Sequence, residues 1–171
     1  QPKDFVVINE IQYNPLSPKG SFVELFNRST TTPFDLSGYR LDGLNYVFPE
    51  GSIIAPSGYL VLAKSRPDFA LAYGSGVAVW DEFTGSLDSG GEHLSLVKPG
   101  ATPEADLVIN DVRYDNVLPW PPQADGFGPS LQLVDATKDT YRVGNWASTT
   151  TNDLNRVTPG RTNSVRQTLS A

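Results

Sequence analysis

One histidine, His93, and nineteen carboxylates are what this chain offers to acid–base chemistry, and it has no cysteine to supply a thiolate. A serine triad would have to use His93, within the alternating run Glu92-His93-Leu94-Ser95-Leu96-Val97. Ser95 shares a side of the strand with His93. Yet neighbours along one strand do not form a triad, and no Gly-x-Ser-x-Gly turn occurs. His93 is therefore expected as an outward-facing strand residue.

Acidic residues are plentiful at Asp81, Glu82, Asp88, Asp106, Asp111, Asp115, Asp125, Asp135 and Asp139. Glycoside hydrolysis needs two carboxyls a few ångströms apart across a cleft, and no spacing here selects a pair. They read as solvated turn acids. Calcium is the one cofactor with a case. The loop Trp80 to Asp88 carries the right oxygen ligands in Asp81, Glu82 and Asp88, as does Asp125-Gly126, though neither has the EF-hand rhythm. A metal held on such loops and activating water is the route by which the chain would be a hydrolase.

Asn9 and Glu10 stand in an otherwise apolar strand, where a carboxylate costs several kcal/mol unless paired or hydrogen-bonded. They are expected to face a solvated side or to secure neighbouring loop backbone; the sharper alternative is a cation ligand at one end of the fold. Trp120, between prolines, and Trp146, after Asn145, are expected to plug the core. Trp80, with Tyr46 and Phe83, is the better set for an exposed surface that stacks on sugar rings or peptide.

Short β-elements must position these residues. Fifteen glycines and fourteen prolines interrupt the chain every few residues and exclude long helices. The intervening runs are rich in Val, Ile, Leu, Phe and Tyr: Phe5 to Tyr13, Phe22 to Phe26, Tyr59 to Ala63, Glu92 to Val97, Leu107 to Tyr114 and Ser130 to Val134. Tyr59 to Ala63, the most uniformly apolar, is placed at the centre of a sheet. One short helix is expected over Asp68 to Tyr73, capped by Ser65, opened by Pro67 and stopped at Gly74, in a crossing between sheets. Eight or nine strands with turns at this spacing predict an all-β, immunoglobulin-like two-sheet sandwich.

The order of the motifs resembles the lamin-tail domain, in its bacterial, exported form. Val7-Ile8-Asn9-Glu10-Ile11, Tyr13-Asn14-Pro15 and Phe22 to Asn27 look like its opening, and Asp35 to Leu41, Phe48-Pro49 and Gly58 to Leu62 follow. Gly90-Gly91-Glu92, Trp120-Pro121, Asp125-Gly126-Phe127-Gly128-Pro129, Asn145-Trp146 and Thr158-Pro159-Gly160 complete a likeness running from about Val6 to Asn163. Asn110-Asp111 and the stretch Asn152 to Val157 depart from the pattern. The resemblance implies the same sandwich, no shared active site, and a structural part for Asn9, Glu10, Tyr13, Trp120, Asp125, Gly126, Asn145 and Trp146. Animal members act as protein-interaction surfaces, and bacterial members accompany other modules in exported proteins.

A chain of 171 residues with 39% hydrophobic residues supports one domain with a core. Its net charge of -6 disfavours nucleic acid and anionic membrane as partners, and no apolar run is long enough to span a bilayer. Without methionine, and opening Gln1-Pro2-Lys3-Asp4, the sequence reads as a domain cut from a longer, extracellular or cell-surface protein; 161–171 is expected to be a loose tail. The expected function is non-enzymatic: recognition, adhesion or spacing, with a protein or extracellular polymer as partner. Carbohydrate binding and a metal-dependent accessory hydrolase are the alternatives.

Overall fold

A computed structural model describes residues 1–170. The first half supplies β1 (Val6–Gln12), β2 (Phe22–Asn27), β3 (Phe34–Asp35), β4 (Arg40–Asp42), β5 (Tyr46–Val47), β6 (Ile53–Ile54) and β7 (Tyr59–Ala63). The helix α1 (Arg66–Tyr73) follows, then β8 (Val79–Glu82), β9 (Gly91–Lys98), β10 (Leu107–Asp115), β11 (Leu131–Leu133) and β12 (Trp146–Ala147). A six-stranded sheet in the order β12-β11-β1-β2-β7-β8 faces a four-stranded sheet in the order β10-β9-β4-β5, and β3 and β6 form a small ribbon. This is the immunoglobulin-like sandwich expected, with more and shorter strands than eight or nine.

Alternation builds the core between the sheets. Val23 and Leu25 of β2 and Leu60 and Leu62 of β7 join Leu41, Leu94, Leu96 and Val112 of the other sheet in one buried cluster. Each such side chain contributes roughly 1.5–3 kcal/mol by leaving water. Tyr13 stacks on Tyr114 across the gap, ring centroids 4.8 Å apart. β1 changes phase within this scheme. Its register against β2 slips between Ile8 and Glu10, a bulge that leaves Asn9 without an opposite residue. Even-numbered Val6 and Ile8 therefore join the core before the bulge, and odd-numbered Ile11 and Tyr13 after it. That slip turns Asn9 and Glu10 together onto the outer face.

The outer face of the six-stranded sheet is also covered. Phe22, Val61 and Ala63 pack against Phe69 of α1, with Phe22 and Phe69 edge to face at 5.5 Å. α1 begins where its cap predicts: the Ser65 hydroxyl accepts from the Asp68 N–H at 3.3 Å. Its role differs from the expectation. α1 joins β7 to β8, parallel neighbours in one sheet, rather than crossing between sheets. Parallel strands cannot be joined by a tight turn and need such a crossover. β8 thus shields β7, which lies one place in from the edge and not at the centre; that position belongs to β1 and β2.

The tail is also more engaged than expected. The Asn163 side-chain amide donates to the carbonyls of Asn9 and Leu133, both at 2.9 Å. The Gln167 N–H donates to Val134 O at 3.1 Å, and the Leu169 N–H to the Asp135 carboxylate at 2.9 Å. Arg166 lies over the Phe26 ring. Few apolar anchors are needed because side-chain and backbone polar groups hold this segment.

Candidate functional site

The bulge in β1 places a stripe of polar side chains across three strands: Gln132 of β11 and Glu24 of β2 are the in-register partners of Glu10. All three are buried, as are Asn9, Ser130, Thr158 and Asn163 around them. Glu10 accepts the Thr158 N–H at 2.8 Å and the Thr158 hydroxyl at 2.9 Å, and the Ser130 hydroxyl donates to it as well. Glu24 accepts the Asn9 amide at 2.9 Å and the Gly160 N–H. Gln132 accepts the Ser164 N–H at 2.9 Å. The stripe therefore grips residues 158–164, a strap laid over the outer face. Gly160, with φ of +77°, belongs to the turn that brings its N–H to Glu24.

Burial pushes the Glu10 carboxyl up to about 7, against the hydrogen bonds from Ser130 and Thr158. Burial and then the neighbouring Glu10 charge raise Glu24 well above the usual carboxylate range. Glu10 secures loop backbone at the Thr158 N–H, whereas the Asn9 side chain bonds the side chains of Glu24 and Asn163; the solvated-side expectation for Glu10 is corrected. Glu24 and Thr158 enter the sequence reading only as members of motifs, and Asn163 only as the end of the likeness, with no role assigned to any of them. The usable signal at Glu24 was a carboxylate in mid-strand between Val23 and Leu25.

The remaining sequence candidates scatter. Tyr46 and Phe83 are buried, correcting their place in an exposed aromatic platform; Phe83 joins the core cluster and the Tyr46 hydroxyl donates to Asp81 at 2.8 Å. Trp80 alone of that set is exposed, at 39%. Asp81 and Glu82 serve the start of α1: Arg66 approaches Asp81 at 3.5 Å, and its N–H donates to Glu82 at 2.6 Å. Asp88 instead accepts the Gly90 N–H in its own turn at 2.7 Å. Among the described residues no group of three or more such side chains is placed to hold a metal ion.

His93, Ser95 and Asp111 do meet, which the reading along one strand missed because Asp111 comes from β10. Asp111 Oδ2 lies 2.8 Å and Ser95 Oγ 3.2 Å from the same ring nitrogen, Nε2 of His93. A relay needs the acid on one nitrogen and the hydroxyl on the other, so this arrangement cannot pass a proton from serine to base.

The other motif residues tie loops. Asp125 accepts the amides of Asn14 at 2.8 Å and Asn116 at 3.3 Å, and Gly126 lies against the Asn14 amide. Asn145 accepts the Asp135 N–H and donates to the Asp135 carbonyl. Buried Trp146 donates its indole N–H to Thr140 O at 2.8 Å, and Trp120 lies in the core cluster. One accessible concavity lies elsewhere, a cleft of about 500 Å³ lined by Leu16, Ser17, Ala72, Tyr73, Val77, Gly128, Leu154, Arg156, Val157, Pro159 and Arg161; another, of about 590 Å³, lies around Lys138 and Arg142.

Two facing sheets with a parallel β7–α1–β8 crossover and a polar-stapled strap define an immunoglobulin-like module. The family model described as Lamin Tail Domain matches residues 1–115, and the chain belongs to that family. The match ends with β10, so β11, β12, the strap and the motifs from Trp120 onward lie beyond it. Comparisons with curated proteins and with solved structures each returned no significant match.

Proposed function

We propose that this lamin-tail domain is a non-catalytic recognition module of an exported multidomain protein, and that its partner is another protein. The observation supporting this reading is the use made of Glu10 and Glu24. These are the carboxyls displaced furthest toward neutrality, the property expected of a general acid or base, yet both are buried and accept hydrogen bonds from the strap. Their chemistry is spent on structure. The cleft beside the end of α1 is lined instead by apolar side chains, Ser17, Tyr73 and two arginines, with no carboxylate.

The test is to offer the purified chain to extracellular proteins of its source, then measure affinity for the purified partner by titration calorimetry. Saturable one-to-one binding is expected. Turnover of chromogenic glycoside, ester or phosphodiester substrates that Glu10→Gln or Glu24→Gln abolishes, in a variant that still folds, would overturn the reading.

A further inference from the structure

We propose that the cleft between the end of α1, the loop at Leu16 and the strap docks a partner peptide in which a carboxylate side chain stands next to an aliphatic one. The inference rests on the recognition reading above and names the surface and the chemistry.

Charge comes first. In a chain of net charge -6, the charged residues lining this cleft are two arginines, Arg156 and Arg161. Among the described residues neither makes a salt bridge. Arg156 donates to the Thr151 carbonyl at 2.7 Å, and Arg161 to Asn155 and the Val157 carbonyl at 3.0 and 3.3 Å. Arg161 lies near enough to Glu10 to oppose the rise of its pKa, but burial holds that carboxyl up to about 7, so its negative charge develops only as pH rises through neutrality. Unpaired guanidinium groups at the rim of a partly apolar cleft favour a planar carboxylate, which they can hold with two parallel hydrogen bonds.

Apolar surface comes second. Leu154 is 96% exposed and Leu16 63% exposed, and both line this same cleft with Val77 and Val157, so the cleft offers a partner contiguous apolar surface. Gly128 keeps the wall between them open: a Cβ there would come within 3.3 Å of both the Leu16 side chain and the Arg156 guanidinium. Behind that wall, Gln12 donates to the Gly128 carbonyl at 3.0 Å while its own side-chain oxygen, buried, has no partner. An extended peptide supplies backbone N–H groups, a side-chain carboxylate and an aliphatic group at once.

The experiment selects a displayed library of random twelve-residue peptides on the purified chain. An enriched peptide is then titrated by fluorescence anisotropy against the wild type and the double variant Leu154→Ser/Arg161→Gln. Both side chains are exposed, so an unchanged Tm verifies that the variant folds. Enriched peptides are expected to carry Asp or Glu beside Leu, Ile or Val. Kd is expected to rise at least about tenfold in the double variant, and again when the peptide's acid becomes its amide. Enrichment without acidic residues, no enrichment, or equal affinity for the double variant overturns the proposal. So does a concentration-dependent dimer of the wild type that the double variant lacks, since a second copy would then fill the cleft. Partner binding that survives the double variant removes the cleft and leaves the recognition module; loss of all protein binding in the wild type removes both.

Discussion

Glu10 illustrates how a single side chain sets a pH dependence opposite in sign to that of an ordinary salt-bridged carboxylate. Unfolded, it releases its proton near the usual 4.5; folded, burial holds the proton up to about 7. Between those values the native state binds more protons than the unfolded one, so this contribution is complete below 4.5 and is lost as pH rises through 7. The slope is at most about 1.4 kcal/mol per pH unit for one proton. Glu24, displaced the same way, adds to it. Glu10→Gln mimics the protonated form and removes one titration. Chemical denaturation from pH 5 to 8 is expected to show the wild type losing stability relative to Glu10→Gln as pH rises. Parallel curves would show that Glu10 titrates normally.

At the scale of elements, the strap and the bulge in β1 depend on each other. The bulge exists in a strand flanked on both sides by others, where an unpaired residue would leave backbone groups unsatisfied. Asn163 supplies a donor to the Asn9 carbonyl and another to Leu133, so the strap completes the accounting that the bulge opens. Asn163→Ala removes both donors from buried acceptors. It is expected to cost about 1–3 kcal/mol in urea unfolding and to raise hydrogen exchange at the Thr158 and Gly160 amides. A loss below about 0.5 kcal/mol would mean that the rest of the strap holds without it. The helix was legible from its caps: Ser65 before Pro67, and Gly74 after Tyr73, bound α1 within two residues of its observed start, whereas β8 was read as part of the loop Trp80 to Asp88. Short-range pattern could not say which strands α1 connects, because pairing partners are chosen by the whole sheet.

Considered as a whole molecule, the chain keeps the acids of β8 and of the turn that follows it on separate structural duties. Asp81 receives Tyr46 and Arg66, Glu82 receives the Arg66 N–H, and Asp88 closes its own turn. A divalent ion would have to displace these donors and gather ligands that, among the described residues, are not clustered. Thermal unfolding with excess calcium and with chelator is therefore expected to give the same Tm. A rise of several degrees with calcium but not magnesium would identify a native-state site and overturn that expectation.

What the sequence determined by itself was local and periodic: apolar alternation, turn residues and caps are properties of neighbouring residues, and they were enough for an all-β sandwich with one helix and for the ordered lamin-tail motifs. The tertiary structure decided which anomalies matter. Glu10 and Glu24 are fourteen positions apart and Thr158 lies far down the chain, yet a one-residue bulge and a strap bring them into one buried group. Tyr46 and Phe83, read with Trp80 as surface aromatics, are buried by the packing between the sheets. Leu16, Leu154, Arg156 and Arg161 carry no signal in their own segments. Their meaning arises because three segments meet around Gly128, and such meetings depend on long-range packing that no window of sequence contains.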